Sequence, residues 1–192
     1  MINIRGLIVG DINCGKSALM SRLCGRAFPL DSHTTIGVDV MGVRREPYRF
    51  TFQDTAGDVR FQQAITSYLH NIAFCLIVYD VGSTASLQSA INWLSQLHTV
   101  NLNEHLMTFL IANKQDLPLK FVDDSEGKLI ADCWNATFIP TSAKTNQGVE
   151  QIFERLIERL PGIIEKIDMN ERRYGIRKDQ VEAKILCDCV VN

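Results

Sequence analysis

The chain has 192 residues, 46% of them hydrophobic and 22% charged, and its 20 Lys and Arg against 22 Asp and Glu leave a net charge of −2. That length and apolar share suit one domain whose core needs neither metal nor disulfide. They exclude a disordered chain, and the charge balance removes the electrostatic case for nucleic-acid binding.

No apolar run approaches the ~20 residues that span a bilayer, and Met1-Ile-Asn-Ile-Arg5 opens without a signal-peptide pattern. Cys14, Cys24, Cys75 and Cys133 are scattered with no CxxC spacing, which predicts reduced thiols in a cytoplasmic chain.

In chain order, Leu7-Ile8-Val9 predicts a buried strand, and Leu19, Met20, Leu23 and Cys24 mark one face of a helix over 17–24. Apolar residues alternate with polar ones around Val38 and Val40 and again through Tyr48, Phe50 and Phe52. Arg45-Glu46-Pro47 between these runs reads as a hairpin connection. Phe74 to Tyr79 and Leu106 to Ala112 are further buried strands, separated by a helix carrying Leu87, Ile91, Leu94 and Leu97. A helix over 125–134 and a strand at 137–139 follow. The last helix repeats Val149, Ile152, Phe153, Leu156, Ile157 and Leu160, and Pro161-Gly162 is expected to close it. Strands alternating with helices imply an α/β fold, a six-stranded, mainly parallel sheet with helices on both faces. The hairpin adds one antiparallel edge strand. The expected domain covers 1–168. Beyond it, 169–192 reads as a flexible tail, with Arg172, Arg173, Arg177, Lys178 and Lys184 against Glu171, Asp179, Glu182 and Asp188.

Gly10-Asp-Ile-Asn-Cys-Gly-Lys-Ser17 matches G-x-x-x-x-G-K-[ST] between a predicted strand and a predicted helix. Gly15 lets the backbone approach a phosphate chain, and successive N–H groups at a helix start form an anion nest. Lys16 supplies a point charge to the outer phosphates, and the Ser17 hydroxyl suits Mg²⁺. At this point ATP and GTP are equally good ligands.

Three later segments separate them. Asp54-Thr-Ala-Gly57 ends a strand, where Asp54 can hold the metal through water and Gly57 can offer its N–H to a terminal phosphate. Asn113-Lys-Gln-Asp116 closes another; Asp116 can accept from the N1 and N2 donors of guanine, whereas adenine would leave a carboxylate unpaired. Thr141-Ser-Ala-Lys144 follows the next, with the Ala143 N–H available to guanine O6. Ligands of open α/β sheets bind at this carboxyl edge.

Over about residues 4–160 the sequence resembles the small GTPases of the Ras superfamily, the Rab branch in particular. Thr34-Thr-Ile-Gly-Val-Asp39, Arg60-Phe61, Ile65-Thr-Ser-Tyr68, Val78-Tyr-Asp-Val81 and Trp93-Leu94 stand at matching positions. The resemblance implies a P-loop G domain. It implies that Asn13, Cys14, Gly15, Lys16, Ser17 and Ala18 surround the phosphates and that Phe28 lies against the guanine. Thr35 would join Ser17 and Asp54 at Mg²⁺ and reach the γ-phosphate. Asn113, Lys114, Asp116, Ser142, Ala143 and Lys144 would hold the base. Lys16, Thr35, Gly57 and Asp58 would be the catalytic set, and an exchange factor, a GTPase-activating protein and effectors the partners.

The sequence departs from its relatives at the hydrolysis machinery and on the partner-binding surface. Asp58 stands where most have the Gln that orients the attacking water, and Ile12 and Asn13 replace small residues of the phosphate loop. Asn13 tolerates left-handed backbone. These changes predict slow intrinsic hydrolysis, with a GTP-loaded platform without turnover as the alternative. Val40, Gln53 and Tyr68 occupy positions that carry three aromatics in relatives, so one remains, which predicts a distinct set of partners. Cys187-Asp-Cys-Val-Val-Asn192 fits a prenylation outline at Cys189, with Cys187 as a second lipid site, and implies anchoring to the cytosolic face of an endomembrane. A P-loop kinase or ATPase is disfavoured by Asn113-Lys-Gln-Asp116.

Overall fold

The computed structural model of the chain describes residues 1–29, 35, 37–55, 72–99 and 106–174, with side chains described as far as 165. Strand β1 (Ile2–Val9) leads through a glycine-rich loop into helix α1 (Lys16–Leu23). The hairpin of β2 (Val38–Arg45) and β3 (Tyr48–Thr55) follows, then β4 (Phe74–Asp80), α2 (Thr84–Thr99) and β5 (Met107–Asn113). Helix α3 (Asp124–Cys133), β6 (Thr137–Pro140) and α4 (Val149–Tyr174) complete the domain.

The strands form one six-stranded sheet in the order β2-β3-β1-β4-β5-β6. Only β2 with β3 runs antiparallel, and the other neighbours are parallel. A parallel sheet has to be covered on both faces, and the period-two alternation of its strands supplies two cores. Ile4, Ile8, Phe50, Phe52 and Phe74 pack against Leu19, Leu23, Phe153 and Leu156 of α1 and α4. Leu7, Val9, Cys75, Ile77 and Leu110 face the opposite way, against Leu87, Leu94 and Ala131 of α2 and α3. Phe50, Phe52, Phe74 and Phe153 meet edge to face at 5.3–6.3 Å between centroids. Gly6 makes room for this cluster, since a Cβ there would fall 2.0 Å from the Phe74 ring.

The order of strands reverses direction at β1. The chain fills one side of β1 with β3 and β2, then crosses to the other with β4. The loop after β1 therefore opens into the crevice at that switch point.

The last helix departs from expectation. It does not close at Pro161-Gly162 but runs through Pro161 to Tyr174. A proline within a helix forfeits one backbone hydrogen bond and costs about 3 kcal/mol, yet tertiary packing outweighs it here. Pro161 and Gly162 are exposed, while Ile163 and Ile164 pack on the core that holds Leu156 and Leu160.

Candidate functional site

The loop between β1 and α1 has the backbone that its residue types call for. Asn13 adopts the left-handed region (φ 65°), as does the Gly15 N-cap of α1 (φ 90°). A Cβ on Gly15 would lie 2.4 Å from Asn113 Nδ2. The glycine is thus demanded by a protein neighbour as well as by approach to a ligand. Asn113 Nδ2 donates to the Cys14 carbonyl at 2.9 Å, binding the loop to the end of β5. Cys14 itself is buried, and burial pushes its thiol up to about 11, so it offers the site backbone only. Lys16 is 6% exposed, and its Nζ donates to the Asp11 carbonyl at 2.7 Å, folding the cation over the loop.

Beside this loop, three oxygen-bearing side chains from distant parts of the chain converge. Ser17 Oγ donates to Asp54 Oδ2 at 2.5 Å and lies 2.9 Å from Thr35 Oγ1, and Thr35 Oγ1 donates to the same carboxylate oxygen at 3.3 Å. Asp54 is fully buried at the end of β3, and its second oxygen, Oδ1, has no hydrogen-bond partner among the described residues. Burial raises the Asp54 carboxyl above its ordinary value, against the lowering effects of the Ser17 hydrogen bond and the nearby Lys16 charge. A buried, under-satisfied carboxylate with two hydroxyls is a hard-oxygen set that fits Mg²⁺, a cation that keeps several waters and needs few protein ligands. Among the described residues no group of three or more His, Cys, Asp or Glu could hold a metal.

At the other end of the crevice the loops after β5 and β6 are joined. Ser142 Oγ donates to Asp116 Oδ1 at 2.5 Å, and Lys144 Nζ lies 3.7 Å from Asp116 Oδ2. Asn113 Oδ1 accepts from Thr141 Oγ1 at 3.3 Å and from the Ala143 N–H at 3.1 Å. The Ala143 N–H, expected to address guanine O6, is thus already engaged by Asn113. Phe28 is half-buried, packs on the core and lines the same crevice.

One cleft of about 830 Å³ unites these groups. Asn13, Gly15, Lys16, Ser17, Ala18, Phe28, Thr35, Asn113, Lys114, Asp116, Ala143 and Lys144 all line it. Ser142 and Asp54 stand behind the lining, each hydrogen-bonded to a side chain that reaches it. Gly57, Asp58 and Tyr68, and the tail cysteines Cys187 and Cys189, lie outside the described residues.

Two supporting residues were not singled out from sequence. Arg22 donates from Nε to the Ala143 carbonyl at 2.8 Å and from a terminal nitrogen to the Lys144 carbonyl at 2.9 Å, clamping the loop after β6 to α1. Asp80 pairs with Lys114 at 2.7 Å. For Arg22 the only local signal is a charge near the end of α1, and Asp80 enters the sequence only within Val78-Tyr-Asp-Val81, with nothing to mark Lys114 as its partner.

A model of the Ras family matches residues 5–161 of this chain. The chain belongs to the Ras family. It is 34% identical to the Ras-related protein Rab-18 of Caenorhabditis elegans, over 83% of this chain and 81% of that protein. It is 34% identical to Rab-18 of Lymnaea stagnalis over 85% of each, and 32% identical to the Ras-related protein RABE1e of Arabidopsis thaliana over 94% of this chain and 85% of that protein. The chain is therefore a Rab-like small GTPase with a P-loop. Among the described residues no helix of this GTPase is long and apolar enough to cross a membrane.

Proposed function

We propose that this Rab-like GTPase is a guanine-nucleotide switch of membrane traffic that binds GTP and GDP with Mg²⁺ and hydrolyses GTP slowly on its own. The observation that carries the reading is the placement of Asp116. Its carboxylate is fixed by Ser142 and neighboured by Lys144, in the same cleft as the glycine-rich loop and Lys16. Such an acceptor has lone pairs left for the N1 and N2 donors of guanine, and a purine lacking those donors would desolvate these positions without filling them, a contrast that discriminates by about 10⁴.

The backbone of residues 13–18 and Lys16 would bind the phosphates at the positive start of α1. Ser17, Thr35 and Asp54 would hold Mg²⁺, which when bound offsets phosphate charge. Thr35, tied to Ser17 by its hydroxyl, would sense the γ-phosphate together with Gly57, so that the two loops order with GTP and relax with GDP. Asp58 can accept a hydrogen bond from the attacking water but cannot donate one to a phosphate oxygen. Loss of one aimed contact of that kind costs about 10²–10³ in rate. Single-turnover hydrolysis by the purified chain tests this: Asp58→Gln is expected to raise the rate well beyond threefold, and a smaller rise overturns the slow-hydrolysis reading.

Ile12 favours a second reading, a GTP-loaded platform that does not turn over. Its branched side chain lines the cleft and is 49% exposed, where it would obstruct an arginine inserted by an activating partner. Freshly purified protein carrying mostly GTP would support the platform, and mostly GDP the switch.

For partners, we infer an exchange factor, an activating protein and effectors of a set particular to this chain. Val40 is 55% exposed on edge strand β2, where relatives present an aromatic. For attachment, we infer lipid on Cys189 and on Cys187, which two-chain arithmetic makes stable where one chain is marginal. Intact mass from a eukaryotic host decides it.

A further inference from the structure

Lys114 lines the cleft between Asn113 and Asp116, and its ammonium is taken up by a carboxylate of the protein itself. Nζ lies 2.7 Å from Oδ2 of Asp80, the last residue of β4, whose Cα is the cross-strand partner of Asn113. Both ends of this lysine are fixed. Its backbone is left-handed (φ 67°), its carbonyl accepts from the Leu117 N–H at 3.0 Å, and the following N–H donates to the Thr141 carbonyl at 3.0 Å.

Asp80 is equally constrained. Oδ1 accepts the Gly82 N–H at 2.8 Å, and its own N–H donates to Ser86 Oγ at 3.0 Å. The Asp80 side chain is 17% exposed and that of Lys114 33%, so the pair is partly withdrawn from water, where an ion pair is screened less than at an open surface.

With the ammonium moored, the four methylenes of Lys114 are strung from the end of β5 toward the end of β4. Lys114 lines the cleft, so a stem held in this way is placed to serve as an apolar plate in its wall. Lysine stems commonly cover apolar surface while the head seeks a polar partner, and the faces of a purine are such a surface. We infer that Asp80 is a positioning residue for guanine-nucleotide retention, acting solely through Lys114 by holding its stem against the base. This rests on the guanine-nucleotide reading above and adds to it the residue that sets how long the base stays.

The test is the release of fluorescent GDP from the full-length chain into excess unlabelled GDP. Asp80→Asn keeps an oxygen for the Gly82 N–H and removes only the charge that moors Lys114. It is expected to speed release about tenfold or more, the scale of one hydrogen bond to a charged group, while melting at the parent's temperature. Lys114→Met keeps the stem, loses the mooring and leaves Asp80 untouched; its release should match that of Asp80→Asn. Adding Asp80→Asn to Lys114→Met should change nothing further. Parent-like release from either single variant overturns the inference. So does a tenfold effect of Asp80→Asn that persists in the Lys114→Met background, which would place its role in the turn at Gly82. A parent that takes up no guanine nucleotide overturns the functional reading itself, before any variant is compared.

Discussion

The Ser142 hydroxyl donates to Asp116 Oδ1 at 2.5 Å, so the acceptor proposed to choose the base is set by the loop of a different strand. Asp116 is 16% exposed at its side chain, and fixing one oxygen removes freedom that a ligand would otherwise have to quench. Asp116→Ala should weaken GTP binding by about 10³ or more and erase the preference for GTP over ITP, which lacks the N2 amine. Ser142→Ala should preserve that preference and weaken binding only about tenfold. Competition titrations against fluorescent GDP check both.

The convergence of Ser17, Thr35 and Asp54 makes a separate prediction about the metal. The parent should release GDP at least tenfold faster when Mg²⁺ is removed with EDTA, since a cation that binds only the loaded state stabilises it by mass action. Asp54→Asn keeps an acceptor for the Ser17 hydroxyl but removes the anionic oxygen left unpaired in the buried site. Its release should be fast and unaffected by EDTA. A variant that still responds to the chelator would move the metal away from Asp54.

Much of this was legible in the sequence because local patterns carried it. The alternation through Tyr48, Phe50 and Phe52 gives β3 its buried face, and the glycines, Asn13 and Lys16 mark the phosphate loop without reference to anything distant. The motifs at Asn113–Asp116 and Thr141–Lys144 also name the cleft walls. What stayed hidden depends on pairs far apart in the chain. Arg22 grips a loop more than a hundred residues away, and Asp80 meets Lys114 only because β4 and β5 pair in register. The course of α4 beyond Pro161 was misread for the same reason: a local rule about proline yielded to the packing of Ile163 and Ile164.

The buried thiol of Cys14 predicts an alkaline weakness. Burial, the dominant cause, lifts it from an ordinary 9.0 to about 11. Above pH 9 the unfolded chain gives up this proton while the folded chain keeps it. The folded state then binds more protons, and stability falls as pH rises until the folded thiol itself ionises near 11. The slope approaches about 1.4 kcal/mol per pH unit for one such group. Urea midpoints measured between about pH 8 and pH 10.5 should decline, and Cys14→Ala should make that decline shallower. Cys75, fully buried and also raised by burial, leaves a residual slope. An unchanged slope in Cys14→Ala would mean that the thiol ionises freely in the folded chain.

Gly162 offers a direct check on the length of α4. It sits within the helix, one residue past Pro161, and a Cβ placed on it meets no atom within 4 Å. If the helix continues through this point in solution, Gly162→Ala removes backbone freedom from the unfolded chain without strain in the folded one, for a gain of about 0.5–1 kcal/mol. For a chain of this size that is roughly 1–4 °C in melting temperature. Had the helix ended at Pro161, the glycine would serve as a terminator and the alanine would be neutral or harmful. A melt of Gly162→Ala beside the parent therefore separates the two courses of the chain, and a lower melting temperature would return the helix end to Pro161.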